Sequence, residues 1–202
     1  MTDSSPRVLI DEEIHERRCL AERLLVWACG GSRVPEEHPH YRIVTANLDP
    51  GSRGIHPDPF SSCAVLAHWL YVCMGIREPW VDHPLAAHGW RGDGKVLSRL
   101  VVRGDEWHGE RLECGDVLVI ANEWPSGHDA HVVCVIDQPE PTVLCTAEYG
   151  QPGGALLTHD PFDEQHVGRR RIRIYLPLER VLRGAAAEGL LVDPMLPEGF
   201  AP

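Results

Sequence analysis

Apolar residues recur at helical spacing in two early stretches of the chain. In "DEEIHERRCLAERLLVWACGG" (11–31), Ile14, Leu20, Leu24, Leu25 and Ala28 share one side of a 3.6-residue repeat, acidic residues lead and Gly30-Gly31 follow. The pattern predicts a helix with a glycine stop. In "PDPFSSCAVLAHWLYVCMG" (57–75), residues from about 62 to 74 put Cys63, Leu66, Ala67, Leu70 and Met74 on one face, with Gly75 placed as a left-handed terminator. The pattern then changes period. "DVLVIA" (116–121), "HVVCVID" (131–137), "TVLCTAE" (142–148) and "RIRIYL" (170–175) are short, β-branched and bounded by Gly, Pro or Asp, as strands are. A last helix is expected over about 178–189, ending at Gly189. Helices first and hairpin-linked strands afterwards predict an α+β domain, with helices packed on an antiparallel sheet.

Between these elements the text is turn-rich. Residues 32–60 hold five prolines and little periodicity, which suits either an ordered loop over a site or a linker. No internal repeat or low-complexity tract interrupts the 202 residues, a length that suits one domain. We expect residues 1–57 to be an N-terminal helix and proline-rich loop of that same domain, 58–176 its core, and 177–202 a C-terminal helix and tail.

Charge and cysteine usage narrow the function classes. Nineteen basic residues stand against 30 acidic ones, a net charge of −11 that repels phosphate backbones and anionic headgroups. Nucleic acid is therefore not an expected partner. The one basic run, "GRRRIRI" (168–174), alternates with apolar residues and reads as a strand with an arginine-lined outer face. No window reaches the roughly 18 apolar residues of a membrane span, so no membrane partner is expected. The opening "MTDSSPRVLIDEE" lacks the pattern of a signal peptide. We expect synthesis as a cytoplasmic protein, with export by a dedicated apparatus left open. Seven cysteines, odd in number and without a CxxC pair, suit a reducing compartment and argue against a zinc ribbon or thioredoxin-type site. Twelve histidines include "HPH" (38–40), His56, His83 and His88, but no spacing converges them on a metal, so no metal or cofactor is expected.

One thiol stands apart from the others. Cys63 is expected in the first turn of its helix, with Ser61 or Ser62 as N-cap, where the dipole and unpaired amides favour a thiolate. Those amides could also hold an oxyanion. Taken alone, Cys63 reads first as a small hydrophobe filling the core. Its partners come from the strands. A four-residue turn over 138–141 would set Asp137 opposite Thr142 and, counting back, His131 opposite Glu148 on one sheet face. An imidazole held by a carboxylate keeps the tautomer that accepts a thiol proton. Asp137 lies roughly 20 Å along the strand from His131, out of reach. Gln151, expected just past the strand, and Asp129 are weaker third residues. Cys134 and Cys145 fall on the opposite face from His131 and Glu148, and Cys73 sits at the wrong helix end for a thiolate. They read as core.

A cysteine opening a helix, then "CGDVLVIA", then "HDAHVVCVID", then a strand with a polar residue resembles the papain-like cysteine amidases and peptidases of the NlpC and CHAP type. The likeness covers about residues 58–152 and has the unpermuted order, Cys before His. It implies a papain-like α+β fold and a thiol hydrolase, with Cys63 as nucleophile, His131 as general base and then acid, and Glu148 as orienter. It also implies a peptide or peptidoglycan-like substrate and no cofactor. Where NlpC-type enzymes usually carry Asp-Cys-Ser and CHAP enzymes often Gln-Cys, this chain has Ser-Ser-Cys-Ala, which leaves Ser62 as the candidate oxyanion support. The alternatives are a catalytically inactive papain-like binding module and an amidase toxin or effector.

Overall fold

The computed structural model describes residues 6–30, 63–77, 100, 102–122, 130–151, 154–197 and 199–200. Along the chain these form α1 (Asp11–Gly30), α2 (Val65–Cys73), β1 (Val102–Arg103), β2 (Val117–Ala121), β3 (His131–Glu140), β4 (Val143–Gln151), β5 (Gly154–Pro161), β6 (His166–Val167), β7 (Arg170–Leu176) and α3 (Leu178–Ala187). The loop over 32–60, Ser62 and Asp129 lie outside the described residues. The class is α+β. Six strands run in the order β1-β7-β2-β3-β4-β5, β6 adds to β7, and every pairing is antiparallel.

Strand alternation divides the interior into two cores. Val117, Val119, Val132, Cys134, Ala147, Tyr149, Ile174 and Leu176 face one way and pack under all three helices. Leu118, Ile120, Val133, Val135, Leu144 and Ile172 face the other way, beneath Trp107, Leu112, Phe162 and Val167. The Trp107 ring meets Phe162 and Tyr175 at centroid distances of 5.9 and 6.0 Å. Ile172 and Ile174, two residues apart on β7, fall in opposite cores because β7 gains a residue against β2. The register steps between Val119/Ile174 and Ile120/Ile172, and the extra residue, Arg173, turns its guanidinium onto the carbonyls of Ala121 and Asn122.

The residues expected on the buried face of α1, namely Ile14, Leu20, Leu24, Leu25 and Ala28, are all buried. α2 departs from expectation. Every described side chain from Leu66 to Met74 is buried, so this helix is enclosed on all sides rather than presenting one apolar face. Trp69 stacks on Trp27 of α1 at 6.3 Å, and Arg17 of α1 donates to the Met74 carbonyl at the far end of α2 and to Val192. Gly75 (φ +81°) then reverses the chain, as its placement after the helix predicts. α2 is thus fixed at its C-terminal end by α1, which fixes where its N-terminal end points.

Asp116 fixes the other side of the sheet. It is fully buried, and four donors converge on it: Arg18 Nη1 (3.1 Å) and the Leu178 amide (2.9 Å) on Oδ1, Tyr175 Oη (2.9 Å) and the Glu113 amide (3.0 Å) on Oδ2. One carboxylate therefore joins α1, the start of β2, β7 and the first turn of α3. Burial pushes this carboxyl up, against the pull of Arg18 and the other donors. Gly115 precedes it at φ +84°, where an added Cβ would meet Leu178 Cδ2 at 2.6 Å.

Candidate active site

Cys63 does not open the helix as expected. It lies one residue ahead of the N-cap, which is Ala64, and among the described residues no side chain caps α2; the expected caps Ser61 and Ser62 lie outside the described residues. The chain is already helical at Ala64 (φ −86°, ψ −4°), and its carbonyl takes the His68 amide at 3.0 Å. The thiol therefore still sits at the positive end of a nine-residue helix, where the first amides lack intrahelical acceptors. The sulfur lies 4.0 Å from the Ala130 carbonyl oxygen, one residue from His131.

The β3–β4 pairing differs from the expected register by two residues. β3 runs on to Glu140 and β4 starts at Val143, so Pro141-Thr142 make the turn, and β3 carries two extra residues against β4. One lies between Val135 and Asp137, the other between Asp137 and Glu140, a stretch holding Pro139, which has no N–H to give the ladder. Glu148 consequently faces Val133, not His131. A shift of two residues preserves the face, and His131 and Glu148 become diagonal neighbours within side-chain reach. His131 Nε2 donates to Glu148 Oε2 at 2.9 Å.

The other carboxylate oxygen is occupied as well. Thr158 of β5 donates to Glu148 Oε1 at 3.1 Å, Thr146 lies 3.3 Å from the same oxygen, and the two hydroxyls are 2.8 Å apart. Thr146 pairs with Thr158 across the β4–β5 ladder, so three adjacent strands supply one buried polar cluster. These threonines escaped the sequence reading. Thr146 could have been found by its two-residue spacing from Glu148, whereas Thr158 lies on a strand that the reading did not anticipate.

Electrostatics follow from these contacts. Burial alone would lower the His131 pKa, but interactions of the ring with the Cys63 and Glu148 side chains and their charges outweigh it and push it up to about 9. With Nε2 on Glu148, Nδ1 is the ring nitrogen left for the sulfur. Burial would raise Glu148, yet His131 and the two threonine hydroxyls hold it below the ordinary carboxylate range. The structure thus brings Cys63, His131 and Glu148 together.

Of the remaining sequence candidates, Ser62 and Asp129 lie outside the described residues. Gln151 is the last residue of β4, paired with Gly154, rather than just past the strand. Burial raises the thiols of Cys29 to about 11 and Cys114 to about 12, and pushes Cys73 and Cys134 higher still. Cys73 and Cys134 are buried, as the core reading requires, whereas Cys145 is only half-buried. Among the described residues no group of three or more His, Cys, Asp or Glu side chains is placed to hold a metal ion, and no helix is long and apolar enough to cross a membrane.

No protein-family model, curated protein or solved structure matches this chain.

Proposed function

We propose that this chain is a thiol-dependent amide or peptide hydrolase on a papain-like frame of the NlpC or CHAP type. Cys63 is the nucleophile, His131 the base and then the acid, and Glu148 the orienting carboxylate. The observation that carries this reading is that His131 is hydrogen-bonded to Glu148 at 2.9 Å while the Cys63 sulfur lies 4.0 Å from the carbonyl of the preceding residue, Ala130, and both side chains act to raise the His131 pKa. His131 takes the thiol proton, and the thiolate adds to the carbonyl carbon while amides at the start of α2 receive the oxyanion. The imidazolium then gives its proton to the leaving nitrogen as the C–N bond breaks. Water, deprotonated by the same ring, attacks the thioester, releasing the acid and regenerating the thiol. No cofactor takes part in these steps. Cell-wall peptides are the substrate class that the resemblance in "CGDVLVIA" and "HDAHVVCVID" suggests.

Release of new amines from peptidoglycan fragments and from simple peptide amides tests the reading. The wild-type chain is expected to turn over, while folded Cys63→Ala and His131→Ala proteins do not. Turnover retained by either variant overturns it.

One observation favours a second reading, a papain-like frame kept as a non-catalytic module: Cys63 is only 5% exposed, whereas reactive thiols are partly open. Site-resolved alkylation separates the two. Modification of Cys63 ahead of the other six cysteines at neutral pH supports the hydrolase.

A further inference from the structure

The catalytic reading assigns no task to the two hydroxyls behind Glu148. We propose that Thr146 and Thr158 are a positioning pair that holds Glu148 ionised and aimed at His131, and thereby sets the pH at which Cys63 becomes reactive. The inference rests on the hydrolase reading above.

The donor count carries it. An ionised carboxylate only accepts hydrogen bonds, and each hydroxyl has one hydrogen to give. Three contacts join Thr146, Thr158 and Oε1, so two hydrogens serve them. The shortest, 2.8 Å between the hydroxyls, and the 3.1 Å contact from Thr158 to Oε1 form a relay running Thr146 to Thr158 to Glu148. Oε1 is then directed at donors while Oε2 receives the His131 N–H at 2.9 Å. A proton on this carboxyl would displace one of these donors. Thr146 is fully buried and Glu148 nearly so, so water does not readily substitute for a lost hydroxyl. Glu148 interacts with the titratable groups of His131 on β3 and of Cys134 on the opposite face of that strand. Cys63 in turn acts on His131.

The consequence has a definite sign. Without the hydroxyls, Glu148 binds a proton at higher pH. A protonated Glu148 no longer supports the positive charge of the His131 imidazolium, so the ring gives up its second proton more readily and the thiolate–imidazolium pair with Cys63 is weakened. Cys63 then needs a higher pH to become a nucleophile.

The test is the pH profile of Cys63 alkylation by iodoacetamide, quantified at that residue by peptide mass spectrometry. For Thr146→Val/Thr158→Val the acid limb is expected to move up by about one pH unit, with about tenfold slower modification below it. The corresponding serine variants should retain the wild-type limb, and the valine changes should add nothing in a Glu148→Gln background. If the buried Thr146→Val change prevents folding, Thr158→Val alone carries the test, because it lies on the edge strand and its hydroxyl is the nearer to Oε1. A wild-type limb that the valine variants leave in place overturns the positioning role while leaving the hydrolase reading intact. A wild-type Cys63 that is not alkylated selectively overturns both.

Discussion

Replacing Asp116 by alanine should damage this fold more than any single surface change. The substitution removes the acceptor for four donors at once: the Arg18 guanidinium, the Tyr175 hydroxyl and the amides of Glu113 and Leu178. Arg18 keeps Glu113 at 2.7 Å, but that partner is half-exposed and replaces little of a carboxylate with no exposure. Breaking a buried charge pair by deleting one member costs about 3–5 kcal/mol. At this chain length each kcal/mol moves the melting temperature by about 2–4 °C, so the midpoint should fall by about 6–20 °C. Tyr175→Phe removes one donor and leaves the carboxylate three, which should cost only about 1–2 kcal/mol. Urea unfolding followed by tryptophan fluorescence gives both the midpoint and the slope. An Asp116→Ala protein within about 1 kcal/mol of wild type, at unchanged slope, would refute the claim that this carboxylate joins α1, β2, β7 and α3.

The same contacts lead to three other expected outcomes. Because the folded-state pKa of His131 is raised from 6.5 to about 9, its contribution to stability is complete below pH 6.5 and lost as pH rises through about 9. Urea midpoints across that window should decline in the wild type and lose most of the decline in His131→Gln. Gly75→Ala should destabilise by about 2 kcal/mol or more, since it strains a left-handed residue and drives a Cβ into the Val192 carbonyl. Thermal melts check this, and an unchanged midpoint would contradict it. Glu148→Gln keeps the shape of the cluster but removes its charge, so the protein should stay folded while amide hydrolysis falls about 10²-fold or more.

The parts of the structure visible in the sequence are those that burial periodicity fixes. The apolar spacing of α1 and the glycines closing α2 and α3 had direct structural counterparts, with Gly75 and Gly189 both at positive φ. That His131 and Glu148 share a sheet face follows from strand alternation and survives any shift by an even number of residues. Their pairing partners do not survive it. The two extra residues of β3 depend on where Pro139 and the turn settle, which is a balance of local geometry rather than of hydrophobicity. β5 was hidden for a different reason. As an edge strand it leaves Leu157 and His159 exposed, so "GALLTHDP" carries no alternation of buried and polar positions, and its opening glycine reads as loop. Thr158 was invisible with it. The start of α2 shifted because Ser61 and Ser62 have the chemistry of a cap, while the observed N-cap position falls on Ala64, which has none.

Nuclear magnetic resonance titration of the His131 ring tests most directly whether sulfur, imidazole and carboxylate act as one unit. The wild-type ring should titrate near pH 9, and Cys63→Ala should move its midpoint downward, because one of the two side chains that raise it is gone. A wild-type midpoint at the ordinary 6.5, or one that Cys63→Ala leaves in place, would contradict the account.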